Sequence, residues 1–225
     1  MGLTLTSPAF KADSLIPPQW TSAGENLSPP LEWTGVPAET KEFGLLCLDP
    51  DAPMPGGFVH WIVYGISPDQ RRLPEGLPTA GVISSALLYQ AIRQGRNSLL
   101  NVGYTGPNVP PRHGPHRYGF RLYALDRPSS LPPGAGRAAF FRAIRGHVID
   151  EARLIGLSDA RAGHTLVTWT AGLLKESALR DGMRSVSRMA IGLVGIALLA
   201  AALSGDRPSV GHRRRLPAGR RRIAL

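Results

Sequence analysis

Short apolar segments separated by proline- and glycine-rich turns dominate the first 159 residues of the chain. In the clearest segment Tyr118, Phe120 and Leu122 alternate with side chains of the opposite face, which is the period of two expected of a half-buried strand. The segment Val82–Ile92 fits a strand and a helix equally well. The strongest strands are predicted over Phe43–Leu48, Val59–Ile66 and Arg117–Leu125.

One later segment has the spacing of an amphipathic helix. Between Ala138 and Arg153, apolar side chains recur at intervals of three and four residues. Gly146 interrupts the pattern, and it is predicted to split the helix because a mid-helix glycine costs roughly 1 kcal/mol relative to alanine. Many short strands and one late helical unit together predict a β-sandwich-like domain with helical appendages. The residues of the predicted apolar helix face are Phe141, Ile144, Val148 and Ala152.

Charge is distributed unevenly along the chain. The 225 residues have a formal net charge of +10, and 43% of them are apolar, which is enough for a substantial core. Residues 1–159 carry 14 Lys/Arg against 13 Asp/Glu, whereas residues 160–225 carry 12 against 3. The basicity therefore belongs to the C-terminal part, and the main domain is nearly neutral.

The single cysteine and the N-terminus bear on the cellular compartment. Cys47 cannot form an intramolecular disulfide because it is the only cysteine. It lies within an apolar run and is predicted to be a buried, inert thiol. The first ten residues, MGLTLTSPAF, have neither the basic nor the apolar stretch of a secretory signal. We therefore expect the main domain to lie in the reducing cytoplasm.

Polar side chains gather where the predicted strands meet their loops. One interpretation is an anion pocket, in which histidines, a tyrosine hydroxyl and the backbone N–H groups of Gly106 or Gly114 donate to a phosphate or a carboxylate. A carboxylate cannot face an anion unpaired, so it would instead orient and charge a histidine by accepting its other ring N–H. The polar set consists of Asp49, Asp51, His60, His113, His116, Arg117 and Tyr118.

Two other chemistries are less favoured by the same residues. His113 and His116 have a spacing that a divalent ion could use, with His60 and an aspartate completing the ligands, but no second ligand pair is recognisable and no metal is expected. A hydrolytic site lacks support, since there is no G-x-S-x-G motif and the only cysteine lies within a strand. Taken one at a time, the polar residues are also compatible with structural roles alone.

Four linked motifs carry a family resemblance. They are SPPLEWTGVP (Ser28–Pro37), LCLDPDAP (Leu46–Pro53), HW at His60, and GYTGPNVPPRHGPHRYGFRLYALD (Gly103–Asp126). In this order and spacing they resemble the phosphatidylethanolamine-binding protein family, also called Raf kinase inhibitor-like proteins, and especially its bacterial and archaeal branch. The resemblance covers about residues 3–157, and within it GHVIDEARLIG (Gly146–Gly156) looks like the helical segment that ends the domain.

The resemblance implies both a fold and a site. The implied fold is mainly β: a two-sheet antiparallel β-sandwich with Greek-key connections and short flanking helices. Near one end the family has a small pocket for phosphoryl groups or other small anions. In this pocket His60 and His116 would donate to the anion, Tyr118 would add a hydroxyl, and Asp49 would orient a histidine. By matching motif positions, the implied ligand-binding residues are Asp49, His60, Gly106, Pro107, Pro111, His116 and Tyr118.

The family is known mainly for binding lipid head groups and for inhibiting kinases or proteases. The resemblance therefore implies a small anionic or phosphorylated ligand, no catalytic residue, no cofactor and no enzyme activity. The alternative is a regulatory inhibitor that contacts a kinase or protease as a protein partner. The chain departs from the family pattern in three places. Residues 95–100 lack the second acid of an Asn-Asp pair, Asn108-Val109 replaces a frequent cysteine after Gly-Pro, and Leu157-Ser158 replaces Thr-Tyr.

Beyond the predicted domain of residues 1–159, the chain is predicted to contain a helical extension (160–205) and an Arg-rich disordered tail (206–225). Within the extension, residues 189–203 are uncharged and strongly apolar, close to the lower limit of about 17 residues for a membrane span. One interpretation is membrane association, with the flanking arginines meeting anionic lipids. A second is a helix packed on the domain or a partner chain. A third is polyanion binding, although nucleic acid is an unlikely partner because aromatic residues are not interleaved.

Overall fold

The structure is a computed structural model that describes residues 2–110 and 112–159. Pro111 and the predicted segments 160–205, 189–203 and 206–225 lie outside the described residues. The described part contains ten strands, one α-helix and a short 3₁₀ turn at Pro18–Trp20. The strands and the helix are β1 (Thr4–Thr6), β2 (Ser14–Leu15), β3 (Leu31–Thr34), β4 (Glu42–Asp49), β5 (Phe58–Ile66), β6 (Arg72–Leu73), β7 (Val82–Ile83), β8 (Ile92–Gln94), β9 (His116–Leu125), α1 (Arg137–Ile144) and β10 (Val148–Ser158).

The strands form two sheets, which confirms the mainly β prediction. The small sheet has the order β1-β3-β6, and the large sheet has the order β2-β10-β9-β4-β5-β8-β7. Within the large sheet β9-β4-β5-β8 are paired antiparallel and have the spatial order of a Greek key, in which a late strand returns beside the first. The three strongest predicted strands correspond to β4, β5 and β9; β4 is longer than predicted by one residue at each end, and β5 and β9 by one residue at the N-terminal end.

Two apolar clusters cover the two faces of the large sheet. One joins Leu31 and Trp33 of the small sheet to Phe43, Trp61 and Phe120 of the large sheet, all of them buried. The other packs Phe140 and Ile144 of α1 against the opposite face of the large sheet. The central strand β4 is buried along nearly its whole length, because both of its faces are covered.

The helix predicted over Ala138–Arg153 is wrong in its second half. Helix α1 ends at Ile144, Gly146 has a positive φ of 77°, and the chain then forms β10, which pairs antiparallel with β9. The helical spacing was misleading because Val148 is exposed rather than packed on a helix face. Burial in β10 instead follows the strand period of two, at Ala152, Leu154 and Gly156. The segment interpreted as a family helix is therefore a strand.

Two further expectations change. The sheets are not wholly antiparallel, because β10 pairs in parallel with β2. The ambiguous segment Val82–Ile92 is neither one strand nor a helix: it begins in β7, ends in β8, and forms a loop between them.

None of the helices in residues 2–110 and 112–159 is both long and apolar enough to cross a membrane.

Candidate functional site

The site lies where β4 ends and β9 begins. These strands are antiparallel neighbours, with Leu48 opposite Gly119, so the last residue of β4 lies beside the first residues of β9. Asp49 is therefore brought next to His116, although 66 residues separate them in the chain. This topology explains why two distant motifs contribute to one site.

Asp49 and His116 form a buried pair with the geometry of an ion pair. The His116 Nδ1–H donates to Asp49 Oδ2 at 2.8 Å, and the two side chains are only 5% and 4% exposed. The other oxygen of Asp49 accepts the backbone N–H groups of Asp51 at 2.8 Å and Ala52 at 3.1 Å. Because three hydrogen bonds hold Asp49, its carboxylate fixes the orientation of the His116 ring.

The second nitrogen of His116 faces another histidine. His116 Nε2 lies 3.3 Å from His113 Nδ1. When His116 is neutral, its proton is on Nδ1, and Nε2 accepts from His113. When His116 is an imidazolium, Nε2–H becomes a donor. The chain Asp49–His116–His113 thus runs from a buried carboxylate to a half-buried ring that reaches toward solvent.

His60 has a different partner. Its Nδ1–H donates to the backbone carbonyl of Thr105 at 2.7 Å, since a carbonyl oxygen can only accept. Burial, opposed in part by the Thr105 hydrogen bond, lowers the pKa of His60 to about 4. His60 is therefore neutral at pH 7 and its Nε2 carries a lone pair. The sequence-based expectation that His60 donates to an anion is incompatible with this neutral form.

Tyr118 packs against His60. Its ring contacts the His60 ring edge-on, with the centroids 4.9 Å apart. Burial raises the pKa of Tyr118 well above its usual value, and the charge of Asp49 and a hydrogen bond with that carboxylate raise it further. The hydroxyl therefore keeps its proton, which is directed to Asp49 rather than free for a ligand.

The Gly106-Pro107 turn is fixed to the N-terminal part of the chain. The Gly106 N–H donates to Asn26 Oδ1 at 2.7 Å, and the Pro107 carbonyl accepts from the N–H and hydroxyl of Ser22 at 3.0 and 2.8 Å. A Cβ on Gly106 would lie 2.8 Å from the backbone of Thr21 and Ser22, so only glycine allows this approach. The Gly106 N–H is therefore not available to an anion, contrary to expectation.

A second acid braces the loop after β4. Asp51 accepts three hydrogen bonds from Arg117, from the backbone N–H, Nε and Nη2, at 2.7 to 2.9 Å. These hydrogen bonds, with the guanidinium charge, lower the pKa of Asp51 to about 2. The Asp51–Arg117 pair clips the loop that contains Asp49 to the start of β9. Arg117 is 59% exposed, so the pair lies at the surface, where it positions the loop.

The missing second acid in residues 95–100 does not leave the neighbouring loop unsupported. The buried Asn97 side chain accepts from the N–H groups of Leu99 and Asn101. Ser98 accepts the Val59 N–H at 2.9 Å through its hydroxyl and donates its own N–H to the Val59 carbonyl. These two hydrogen bonds between Ser98 and Val59 hold the start of β5, immediately before His60.

The structure thus brings together Asp49, His116, Tyr118 and His60, and places Gly106 and Pro107 in the adjoining turn. Among residues 2–110 and 112–159, no group of three or more His, Cys, Asp or Glu side chains could hold a metal ion. Sequence reasoning missed the roles of Asn26 and Thr105. The Thr105 role could not have been found, because a backbone carbonyl has no signature in the sequence.

Comparisons with known proteins identify the family. The family model described as phosphatidylethanolamine-binding protein matches residues 6–159. The chain belongs to the phosphatidylethanolamine-binding protein family. A UPF0098 protein of Methanothermobacter thermautotrophicus is 45% identical over 155 residues, covering 69% of this chain and 97% of the relative. One from Aquifex aeolicus is 41% identical over 152 residues, covering 67% and 85%.

Solved structures show the same relationship. A phosphatidylethanolamine-binding protein homologue, CT736, from Chlamydia trachomatis superposes with a TM-score of 0.61 at 35% identity, over 70% of this chain and 97% of its own. YbcL of E. coli, described as a member of the mammalian family, gives a TM-score of 0.63 at 28% identity, over 72% and 100%. Family members of this branch therefore share the two-sheet domain described above.

Proposed function

We propose that the phosphatidylethanolamine-binding-type domain binds a small anionic or phosphorylated ligand, of the kind found in phospholipid head groups, without transforming it. The observation that carries the proposal is the buried Asp49–His116 pair. The Asp49 carboxylate balances the positive charge of a protonated His116. In that form the His116 Nε2–H can donate to an anion. His113 extends this donor set toward solvent.

The chemistry of two candidate nucleophiles, Cys47 and Tyr118, supports binding rather than catalysis. Cys47 is fully buried, and this burial raises the pKa of its thiol well above the usual value, so a thiolate is not formed there. The Tyr118 hydroxyl is directed to Asp49. Neither group can attack a bound phosphoryl group, which is consistent with a protein that holds its ligand unchanged.

The test is a titration of the full chain with phosphoethanolamine, followed by calorimetry. In His116→Asn the amide can still donate to Asp49, whereas the anion-facing nitrogen is lost, so affinity should fall at least about tenfold. The matched control is His147→Asn, because His147 also pairs with an aspartate, Asp126, at 2.9 Å, and is not in the site. Equal affinities for the wild type and His116→Asn would overturn the proposal.

Membrane association through residues 189–203 and the arginines at 213–215 and 220–222 completes the proposal. Its test is sedimentation of the full chain with vesicles of phosphatidylglycerol or of phosphatidylcholine. We expect binding to the anionic vesicles, with an Arg213→Ser, Arg214→Ser, Arg215→Ser variant bound more weakly. Absence of vesicle binding at low salt would remove this part and leave the pocket unaffected.

A further inference from the structure

A second surface of the domain lies at the outer edge of the small sheet. Strand β6 is the last strand of that sheet, and the segment 84–91, which leaves the outermost strand β7 of the large sheet, runs beside it. The buried side chain of Gln70 joins the two. Its Nε2 donates to the carbonyls of Arg72 at 2.6 Å and Leu87 at 3.1 Å, and its Oε1 accepts from the Tyr89 N–H at 2.9 Å. The segment is therefore held in a fixed position beside β6.

This fixed segment exposes apolar side chains. Leu87 is 54% exposed and Tyr89 is 73% exposed, and Val82 in the adjoining strand β7 is also exposed. These are three of the eight large apolar side chains that are exposed in residues 2–110 and 112–159. Single exposed apolar residues need no explanation, but a group of them on one fixed segment is typical of a contact surface.

A groove lies beside these side chains. Residues 69–72 and 86–89 line a cavity of about 350 Å³. Leu87 and Tyr89 belong to this lining and are nevertheless more than half exposed, so the cavity is open to solvent. Small-molecule sites bury about 70–90% of their ligand, which an open groove does not do. A segment of a protein chain, in contrast, would fill the groove and cover both side chains.

Two arginines give the groove a preference for acidic groups. The Arg71 Nη1 donates to the carbonyls of Pro68 at 2.6 Å and Gln70 at 3.0 Å, so its guanidinium is held in place. Asp69 also lines the groove, but neither Arg71 nor Arg72 forms an ion pair with a carboxylate of the described residues. A guanidinium that is already fixed loses little freedom when it pairs with a carboxylate, for which its planar fork is well matched.

We propose that this groove docks a segment of a protein partner in which an acidic residue stands next to an apolar one. The carboxylate would pair with Arg71, and the apolar side chain would pack against Leu87 and Tyr89. A second copy of this chain does not fit, because a symmetric contact would bring the same arginines together. Residues 160–225 do not fit either, since they carry 12 Lys/Arg against 3 Asp/Glu. The groove shares no residue with the anion site, so this inference is independent of the proposed ligand.

The test is a selection of random phage-displayed peptides on the full chain, followed by fluorescence polarisation of the selected peptides. We expect these peptides to share an aspartate or glutamate close to a leucine, isoleucine or phenylalanine. Their affinity should fall at least about tenfold in Leu87→Ser and in Arg71→Gln, because each variant removes one of the two contacts. Leu15→Ser and Arg145→Gln are the matched controls and should bind as the wild type does, since both side chains are exposed and lie outside the groove.

The other possible occupants are distinguished on the same variants. All four substitutions are at the surface, so their urea midpoints should match that of the wild type. A selection that yields no peptide dependent on Leu87 and Arg71 would overturn the proposal. Self-association or binding to phosphatidylglycerol vesicles that Leu87→Ser abolishes would also overturn it, in favour of a second copy or of a lipid surface. Crosslinks from the groove to residues 160–225 of the same chain would overturn it in favour of the chain's own extension.

Discussion

Two histidines of one type and almost equal burial, His60 and His116, have opposite surroundings. His60 is 5% exposed and its Nδ1 meets a neutral carbonyl, whereas His116 is 4% exposed and its Nδ1 meets a carboxylate. Burial keeps His60 neutral, although its hydrogen bond to the Thr105 carbonyl opposes this effect in part. His116 instead donates to a buried carboxylate, which carries the negative charge that a carbonyl lacks. A sequence motif that contains both residues does not reveal this division.

Removing the Asp49 carboxylate should abolish the difference between the two histidines, and it should have the largest effect on stability and binding. In Asp49→Asn the amide cannot accept at both of its polar atoms, so it loses either His116 or the N–H groups of Asp51 and Ala52. We expect a loss of about 3 kcal/mol in the free energy of unfolding, as for other broken buried pairs, and loss of phosphate binding. Urea unfolding at pH 7 measures the first effect. A stability within 0.5 kcal/mol of wild type, a value about the size of ordinary surface substitutions, would contradict it.

Lowering the pH should reduce the stability of the folded protein through His60. The unfolded chain takes up a proton near pH 6.5, but folded His60 does so only near its lowered pKa of about 4. The unfolded state therefore binds more protons in this window, and stability falls as the pH decreases from 6.5 to 4, by up to about 3 kcal/mol. Urea midpoints across this range should decline in the wild type and decline less in His60→Asn. Parallel pH profiles would show that His60 is not the cause.

The backbone partner of His60 depends on a close approach at the next residue. In Gly106→Ala the new Cβ would lie 2.8 Å from the backbone of Thr21 and Ser22, so the loop that carries Thr105 must shift. We expect a cost of about 2 kcal/mol, typical of an overpacked site, and a weaker His60–Thr105 hydrogen bond. The matched control is Gly114→Ala, since a Cβ there has no neighbouring atom within 4 Å. Equal thermal stabilities of the two variants would contradict the expected role of Gly106.

The smallest effect is expected at the exposed clip beside His116. Arg117→Ala removes the ion pair with Asp51, but Arg117 is 59% exposed and solvent screens the pair. We expect a loss of less than about 1 kcal/mol in stability and a slight decrease in ligand affinity. Unfolding in low and high salt measures the change. A loss as large as that of Asp49→Asn would mean that the clip, rather than the buried pair, organises the site.

Sequence reasoning found most of the scaffold and part of the site. Strands β4, β5 and β9 followed from apolar runs and from a period of two, which burial imposes directly. The segment after Gly146 was misread because Val148 happened to continue a helical spacing, although its side chain is exposed in β10. That strand is specified by pairing with β9, a contact between residues distant in the chain.

Within the site, the pairing of an aspartate with a histidine could be anticipated from charge alone. The distinct role of His60 could not, because it depends on the Thr105 carbonyl and on enclosure by Phe58 and Tyr118. The Gly106 N–H was expected to face a ligand, and its use by Asn26 depends on a long-range approach of two loops. Side-chain chemistry is visible in a sequence, whereas backbone partners are supplied by the fold.

The most direct measurement is a long-range ¹H–¹⁵N NMR spectrum of the histidine rings, recorded on the full chain at pH 6 with increasing phosphate. We predict that His60 and His116 both carry their proton on Nδ1, that His60 stays neutral throughout, and that His116 Nε2 shifts and saturates as phosphate binds. A His60 ring that is already charged at pH 6, or a His116 signal that phosphate does not change in the folded protein, would contradict the account.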